Sequence, residues 1–186
     1  MPTPARTSLA AIVAAGRGIL EANGVDGLTM HRVALAVGVR APSLYKRVRS
    51  RAALVQLIVD DVVDELGATL DAAAGSGDPR RDLRALADAF RTFAHEHPEG
   101  YRLIFAGPSD AARADPDRLE RASAAVLRTA AALSGPYRAL EAARTVTAWA
   151  HGFISMELAG AFQLGGDVDD AYRFGIERLG DALATN

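Results

Sequence analysis

Five side chains within eight residues hold the densest potential for chemistry in this chain: Arg40, Ser43, Tyr45, Lys46 and Arg47. Guanidinium and hydroxyl groups can read the edges of base pairs, while an ammonium or a phenol can reach a phosphate oxygen. Such a set recognises and does not make bonds. Other reactive residues point nowhere in particular. His95-Glu96-His97 invites a metal, but residues two apart on a helix do not face each other. A zinc site needs histidines at i and i+4 or a ligand returning from elsewhere. No metal or cofactor is therefore expected. His151 reads as a buried hydrogen-bonding residue, not as a ligand or base, and Ser43 and Ser155 have structural explanations. With no cysteine, thiolate sites and thiol nucleophiles are excluded. The GxSxG elbow, the Walker loop, the dinucleotide fingerprint and HExxH are all absent, so the chain is not expected to be an enzyme.

The cluster needs an element that projects it, and Leu28 to Tyr45 supplies the pattern of one. Two short helices crossing steeply over a turn of three or four residues need a small residue where they meet, here Ala34. They need a residue that accepts positive φ at the turn, here Gly38. Val33, Val37, Val39 and Leu44 are placed to lock the pair. The second helix then directs its N-terminal residues at a major groove. In that geometry Arg40, Ala41 and Ser43 lie nearest base edges, with Pro42 in the first turn, where a missing N–H costs nothing. Tyr45, Lys46 and Arg47 reach phosphates or the groove floor. Thr29 opens the preceding helix, whose free N–H groups and positive dipole end favour a phosphate. A helical hairpin around a glycine turn is common in itself, but the charge distribution narrows the reading. Residues 1–51 hold eight basic and two acidic side chains, a net +6, and the remainder nets −8. A basic head on an acidic body presents one end to a polyanion.

Around this pair the chain reads as helical throughout. Hydrophobic residues make up 49% and charged residues 24%, as in an ordinary soluble globular protein. Strand-like alternation is absent, while Ala, Leu, Arg and Glu dominate. Nine helices are expected: about 7–23, 29–36, 41–47, 51–74, 79–96, 98–106, from near 116 to before Gly135, 137–163, and from Asp167 onward. Asn23-Gly24, Gly75 to Pro79, Gly135-Pro136 and Gly165-Gly166 are the stops. No apolar run approaches the 18 or so residues of a membrane span, and the periodic N-terminus reads as an amphipathic helix and not as a signal peptide. A cytoplasmic, all-α protein is expected.

Leu28-Thr29-Met30, then Gly38-Val39-Arg40-Ala41-Pro42-Ser43-Leu44-Tyr45, then Arg51-Ala52-Ala53-Leu54 resemble the DNA-binding domain of the TetR family over about residues 7–55. Two positions depart from the pattern. Val48 stands where the family usually has Phe, and Arg51 where Lys commonly opens the fourth helix; the resemblance implies that Arg51 contacts phosphate as that Lys does. Thr147 to Gly160, with Trp149, His151 and Gly152, and Pro98 to Phe105 are similar to a subgroup named for a Trp-His-Gly signature. The resemblance implies a three-helix DNA-binding domain at 1–50 and a helical ligand-binding and dimerisation domain at 51–186. It further implies a homodimer whose last two long helices form a four-helix bundle with their copies, and a near-palindromic double-stranded operator. Small residues along those helices (Gly152, Ser155, Ala159, Gly160, with Gly175 and Gly180) would allow close approach. Phe90, Phe93, Tyr101, Phe105, Trp149, Phe153 and Met156 form stripes that suit a core as well as a pocket. The family's design implies that they line a pocket for a small hydrophobic effector that releases DNA. The alternative is a helical adaptor acting through protein contacts, which leaves the basic head without a role.

Overall fold

The computed structural model describes residues 8–105 and 114–184. Among the described residues there are nine α-helices, one 3-10 turn and no strand, so the all-α expectation holds. The helices are α1 (Leu9–Gly27), α2 (Met30–Ala36), α3 (Ala41–Tyr45), α4 (Arg51–Ala73), α5 (Pro79–Glu96), α6 (Pro98–Phe105), α7 (Pro116–Ser134), α8 (Ala139–Leu158) and α9 (Val168–Leu183). The chain divides into two compact units. One, the head, comprises the described residues of Met1–Asp64 and His97–Arg118. The other, the body, comprises those of Glu65–Glu96 and Leu119–Asn186. The boundary falls within α4, whereas the functional division expected from the sequence falls at residue 50.

In the head, Ser8 starts α1 by accepting a hydrogen bond from the Ala11 amide at 3.1 Å. Ile12, Val13, Gly16 and Leu20 form its buried face. The expected stop at Asn23-Gly24 is a kink instead: Gly24 takes φ 67°, and one further turn carries the helix to Gly27. Leu28, Val33, Leu44, Leu54 and Ile58 are fully buried and join α1 to α4 into one core. Such burial is worth about 1.5–3 kcal/mol for each large aliphatic side chain. Val48 is also buried, so the valine that replaces the usual Phe still packs inward.

In the body, α5 buries Leu83, Leu86, Ala87, Phe90, Phe93 and Ala94 along one face, the spacing of an amphipathic helix. Asp167 caps α9 by accepting from the Asp169 and Asp170 amides, and both of those carboxylates favour the positive end of the helix. The helix expected over 137–163 is shorter. Pro136–Arg138 form the 3-10 turn, and α8 ends at Leu158. There the Gly160 amide donates to the Glu157 carbonyl and the Ala161 amide to Met156, with Gly160 at φ 63°. This left-handed cap satisfies the last carbonyls and turns the chain away. Ala161, Phe162 and Leu164 follow the cap.

Candidate nucleic-acid interface

The α2–α3 pair is built by local chemistry. Thr29 caps α2, its hydroxyl oxygen accepting from the Arg32 amide at 3.2 Å. Val33, Ala34 and Val37 are buried between the helices, with Leu44 facing them from α3. The turn is closed by the Gly38 amide donating to Leu35 and the Val39 amide to Ala34. Gly38 has φ 72°, and the position where a Cβ would stand is open, with no atom within 4 Å. The turn thus requires a left-handed backbone and not extra room. α3 is short, because Lys46 and Arg47 lie in the turn that follows it and not in the helix expected over 41–47.

This frame brings the sequence-derived recognition set together at one end of the head. Arg40 is the residue before α3, and Ala41, Pro42 and Ser43 form its first turn. Arg40, Pro42, Ser43, Tyr45, Lys46 and Arg47 are all exposed. Leu44, in their midst, is fully buried and fixes which face they occupy. The side chains of Arg40, Lys46, Arg47 and Arg49 have no ion-pair or hydrogen-bond partner among the described residues. No side chain caps the N-terminus of α3 either; Pro42 has no N–H to offer, and the Ser43 amide donates to the Arg40 carbonyl at 2.9 Å.

Arg51 is placed differently. Its Nε donates to the Leu28 carbonyl at 2.7 Å, and a terminal nitrogen donates to the Val25 carbonyl. Arg17 pairs with Asp61 at 2.8 Å, and Arg32 donates to Asn23 Oδ1 at 3.1 Å and to the Gly27 carbonyl. Three of the arginines in the basic head therefore bond within it. The head also holds a contact the sequence did not reveal. The Glu21 carboxylate accepts from the Glu99 and Gly100 amides at 3.1 and 2.9 Å, capping α6 from α1. Tyr101, on α6, is buried, and its ring lies 5.0 Å from that of Phe105.

The other aromatic candidates belong to the body. Phe90 and Phe93 are buried on α5, while Trp149 and Phe153 are half-buried on α8 with ring centroids 5.7 Å apart. Met156 is exposed. The sequence did not single out the residue at their centre. Tyr172, fully buried on α9, stacks on Trp149 at 5.1 Å, meets Phe153 edge-on and donates to the Ala87 carbonyl at 2.8 Å. The Trp149 ring fills the space where a side chain at Gly175 would stand, and Leu83 lies against Gly180. Both glycines therefore serve packing inside the body. Gly152 faces open space.

Beside this aromatic group lies a polar cluster. Arg91 forms a bidentate pair with Glu157 at 2.9 and 2.5 Å, reaches Asp169 at 2.6 Å, and sits 4.9 Å over the Tyr172 ring. His95, from the doublet that had suggested metal, bonds Glu157 at 3.0 Å. The Arg91 guanidinium, and then His95, hold the Glu157 carboxyl below the usual carboxylate range. Burial lowers the His151 imidazole below its ordinary value, which favours the neutral ring.

Comparison with known proteins gives a consistent result. The family model described as "Bacterial regulatory proteins, tetR family" matches residues 12–58, and "Tetracyclin repressor-like, C-terminal domain" matches 83–179. An uncharacterized HTH-type transcriptional regulator of Mycobacterium tuberculosis, Rv0681, is 30% identical over 171 residues, covering 89% of this chain and 76% of that protein. The crystal structure of the regulatory protein SCO4313 superimposes with a TM-score of 0.79 at 27% identity, covering 96% of this chain and 98% of that one. BioQ, crystallised with its double-stranded DNA operator, shares the fold with a TM-score of 0.67 at 24% identity, over 95% and 98% of the two chains.

Proposed function

Because this chain belongs to the TetR family of helix-turn-helix transcriptional regulators, we propose that it binds a near-palindromic operator as a homodimer and releases it when a small hydrophobic effector binds. The observation that carries this reading is the exposed cationic face around α3, left without internal partners on a turn fixed by Gly38. Arg40, Ala41, Pro42 and Ser43 face base edges, and Thr29, Tyr45, Lys46 and Arg47 take phosphates. BioQ, of the same fold, is known with its DNA operator.

Residues 1–50 serve DNA binding, and 51–186 serve pairing and effector binding. Exposed apolar side chains on and beside the last two helices support pairing through that face: Leu140, Met156, Phe162, Leu164 and Phe174. A two-fold dimer would set its recognition helices about 34–36 Å apart. In the body, Phe90, Phe93, Trp149 and Phe153 are the groups an apolar effector would meet, and coupling of about 1–3 kcal/mol between the two ligands is typical. We assign the body to the Trp-His-Gly subgroup on Trp149, His151 and Gly152. The chain acts where the DNA is, in the cytoplasm, and no described helix is long and apolar enough to cross a membrane.

Selection of duplexes from a random pool by the purified protein, followed by a salt titration, tests the reading. An enriched palindrome with steep salt dependence supports it. Absence of any salt-sensitive duplex binding defeats it.

A further inference from the structure

We propose that Arg51 is a positioning residue, fastening the first turn of α4 to the end of α1 so that α2 is held in a fixed relation to α4. This inference rests on the DNA-binding reading above. The C-terminal carbonyls of a helix have no helical N–H to accept from and form its negative pole. The last turn of α1 contains no basic residue of its own. The chain supplies only one local bond there, from the Leu28 amide to the Val25 carbonyl at 3.3 Å.

Arg51 adds two more from α4, its guanidinium spanning the Val25 and Leu28 carbonyls. Leu28 is itself fully buried, so the peptide that Arg51 grips cannot swing away. The next residue is Thr29, the cap of α2, and it accepts from the amide of Arg32. Arg32 returns from α2 to Asn23 and to the Gly27 carbonyl. Two guanidinium groups thus close on the end of α1, one from α4 and one from α2.

A planar fork can address two carbonyls three residues apart, which a single ammonium nitrogen cannot do in the same way. This gives a physical reason for arginine at the position where lysine commonly stands. The donors that hold Val25 and Leu28 are not free for a phosphate unless those carbonyls are abandoned. The ion pair of Arg17 with Asp61 joins α1 to α4 elsewhere, so the head does not rest on Arg51 alone.

The test compares Arg51→Lys and Arg51→Gln with the wild-type full-length chain. The probes are a labelled random-sequence duplex and the duplex enriched from a random pool, each titrated over a salt series. Thermal melting and amide hydrogen exchange of the free protein complete the set. Both variants should lose about tenfold in affinity for the enriched duplex, because binding must then supply the order that the fastening gave α2 beforehand. They should bind the random duplex as wild type does, keep the salt slope, melt at a slightly lower Tm, and exchange faster at the amides of residues 29–33. Full rescue by Lys, with Gln lowering the salt slope by about one, would make Arg51 a phosphate contact and overturn the proposal. Equal losses on both duplexes, or no change at all, would also overturn it. If the wild-type chain enriches no duplex, the DNA-binding reading itself fails. Exchange at 29–33 then decides the fastening alone: acceleration in both variants supports it, and retained protection overturns it.

Discussion

The α3 end of the head and the meeting of α5, α8 and α9 in the body both depend on arginine, and they treat it in opposite ways. In the body Arg91 is enclosed: two carboxylates hold it, an aromatic ring lies beneath it, and its side chain is only 19% exposed. In the head Arg40 and Arg47, with Lys46 between them, stand in water with no carboxylate opposite. The same side chain is a fastener where acceptors are built around it and a probe where none is. An ion pair satisfied inside one chain has little left to offer a partner, whereas an unpaired cation can exchange its counterions for phosphates. Counting positive charges therefore overstates the cations open to DNA in this head: Arg17 is neutralised by Asp61, while Arg32 and Arg51 keep their charge but commit donors to neutral oxygens within the head.

Breaking the enclosed side should have the largest effect. Glu157→Ala removes the bidentate partner of Arg91, leaving it Asp169 alone, and removes the partner of His95. A loss of about 1.5–3 kcal/mol is expected, seen as a lower Tm in thermal melting, and an unchanged Tm would refute the contrast. On the open side, Arg40→Ala should leave Tm unaltered while relaxing base preference by about 1–3 kcal/mol at one position of the selected site. Repeating the pool selection with the variant measures this, and an identical consensus would remove Arg40 from base readout. Lys46→Ala should weaken binding to every sequence several-fold and reduce the salt slope by about one. A slope equal to wild type would show that Lys46 touches no phosphate.

The smallest effect is on acid stability. The folded state depresses both His151 and Glu157. A group depressed on folding contributes fully above its unfolded pKa and loses that contribution as pH falls through its folded value. The His151 contribution should thus decline below about pH 6.5 and that of Glu157 below the ordinary carboxylate range. His151→Asn should flatten the upper part of this decline in melts taken from pH 7 to pH 5. A variant that tracks wild type throughout that range would show that His151 does not sense acid.

What the sequence made legible follows from the range of the interactions. The α2–α3 pair rests on contacts a few residues apart: Thr29 to Arg32, Ala34 to Val39, and a glycine at the turn. Such contacts leave their pattern in neighbouring letters, and so the recognition set could be read directly. Arg51 could not be read that way. Its partners lie 23 and 26 residues away and are backbone carbonyls, which every residue possesses and no motif marks. Glu21, Arg91 and Tyr172 escaped for the same reason, each finding its partner 66 to 85 residues away. The end of α8 was missed on different grounds. Helical periodicity continues past Leu158, while the left-handed cap at Gly160 depends on backbone geometry that many glycines never adopt.

The open space at Gly38 has a consequence for handedness. The position excludes ordinary side chains by chirality and not by size, since L-residues resist its φ at a cost of about 1–2 kcal/mol. A D-alanine introduced there by chemical ligation would favour that same φ. By restricting the unfolded chain it should stabilise the head by about 0.4–1 kcal/mol. The joint between α2 and α3 can thus be stiffened by inverting one stereocentre, with every side chain that faces DNA left as it is.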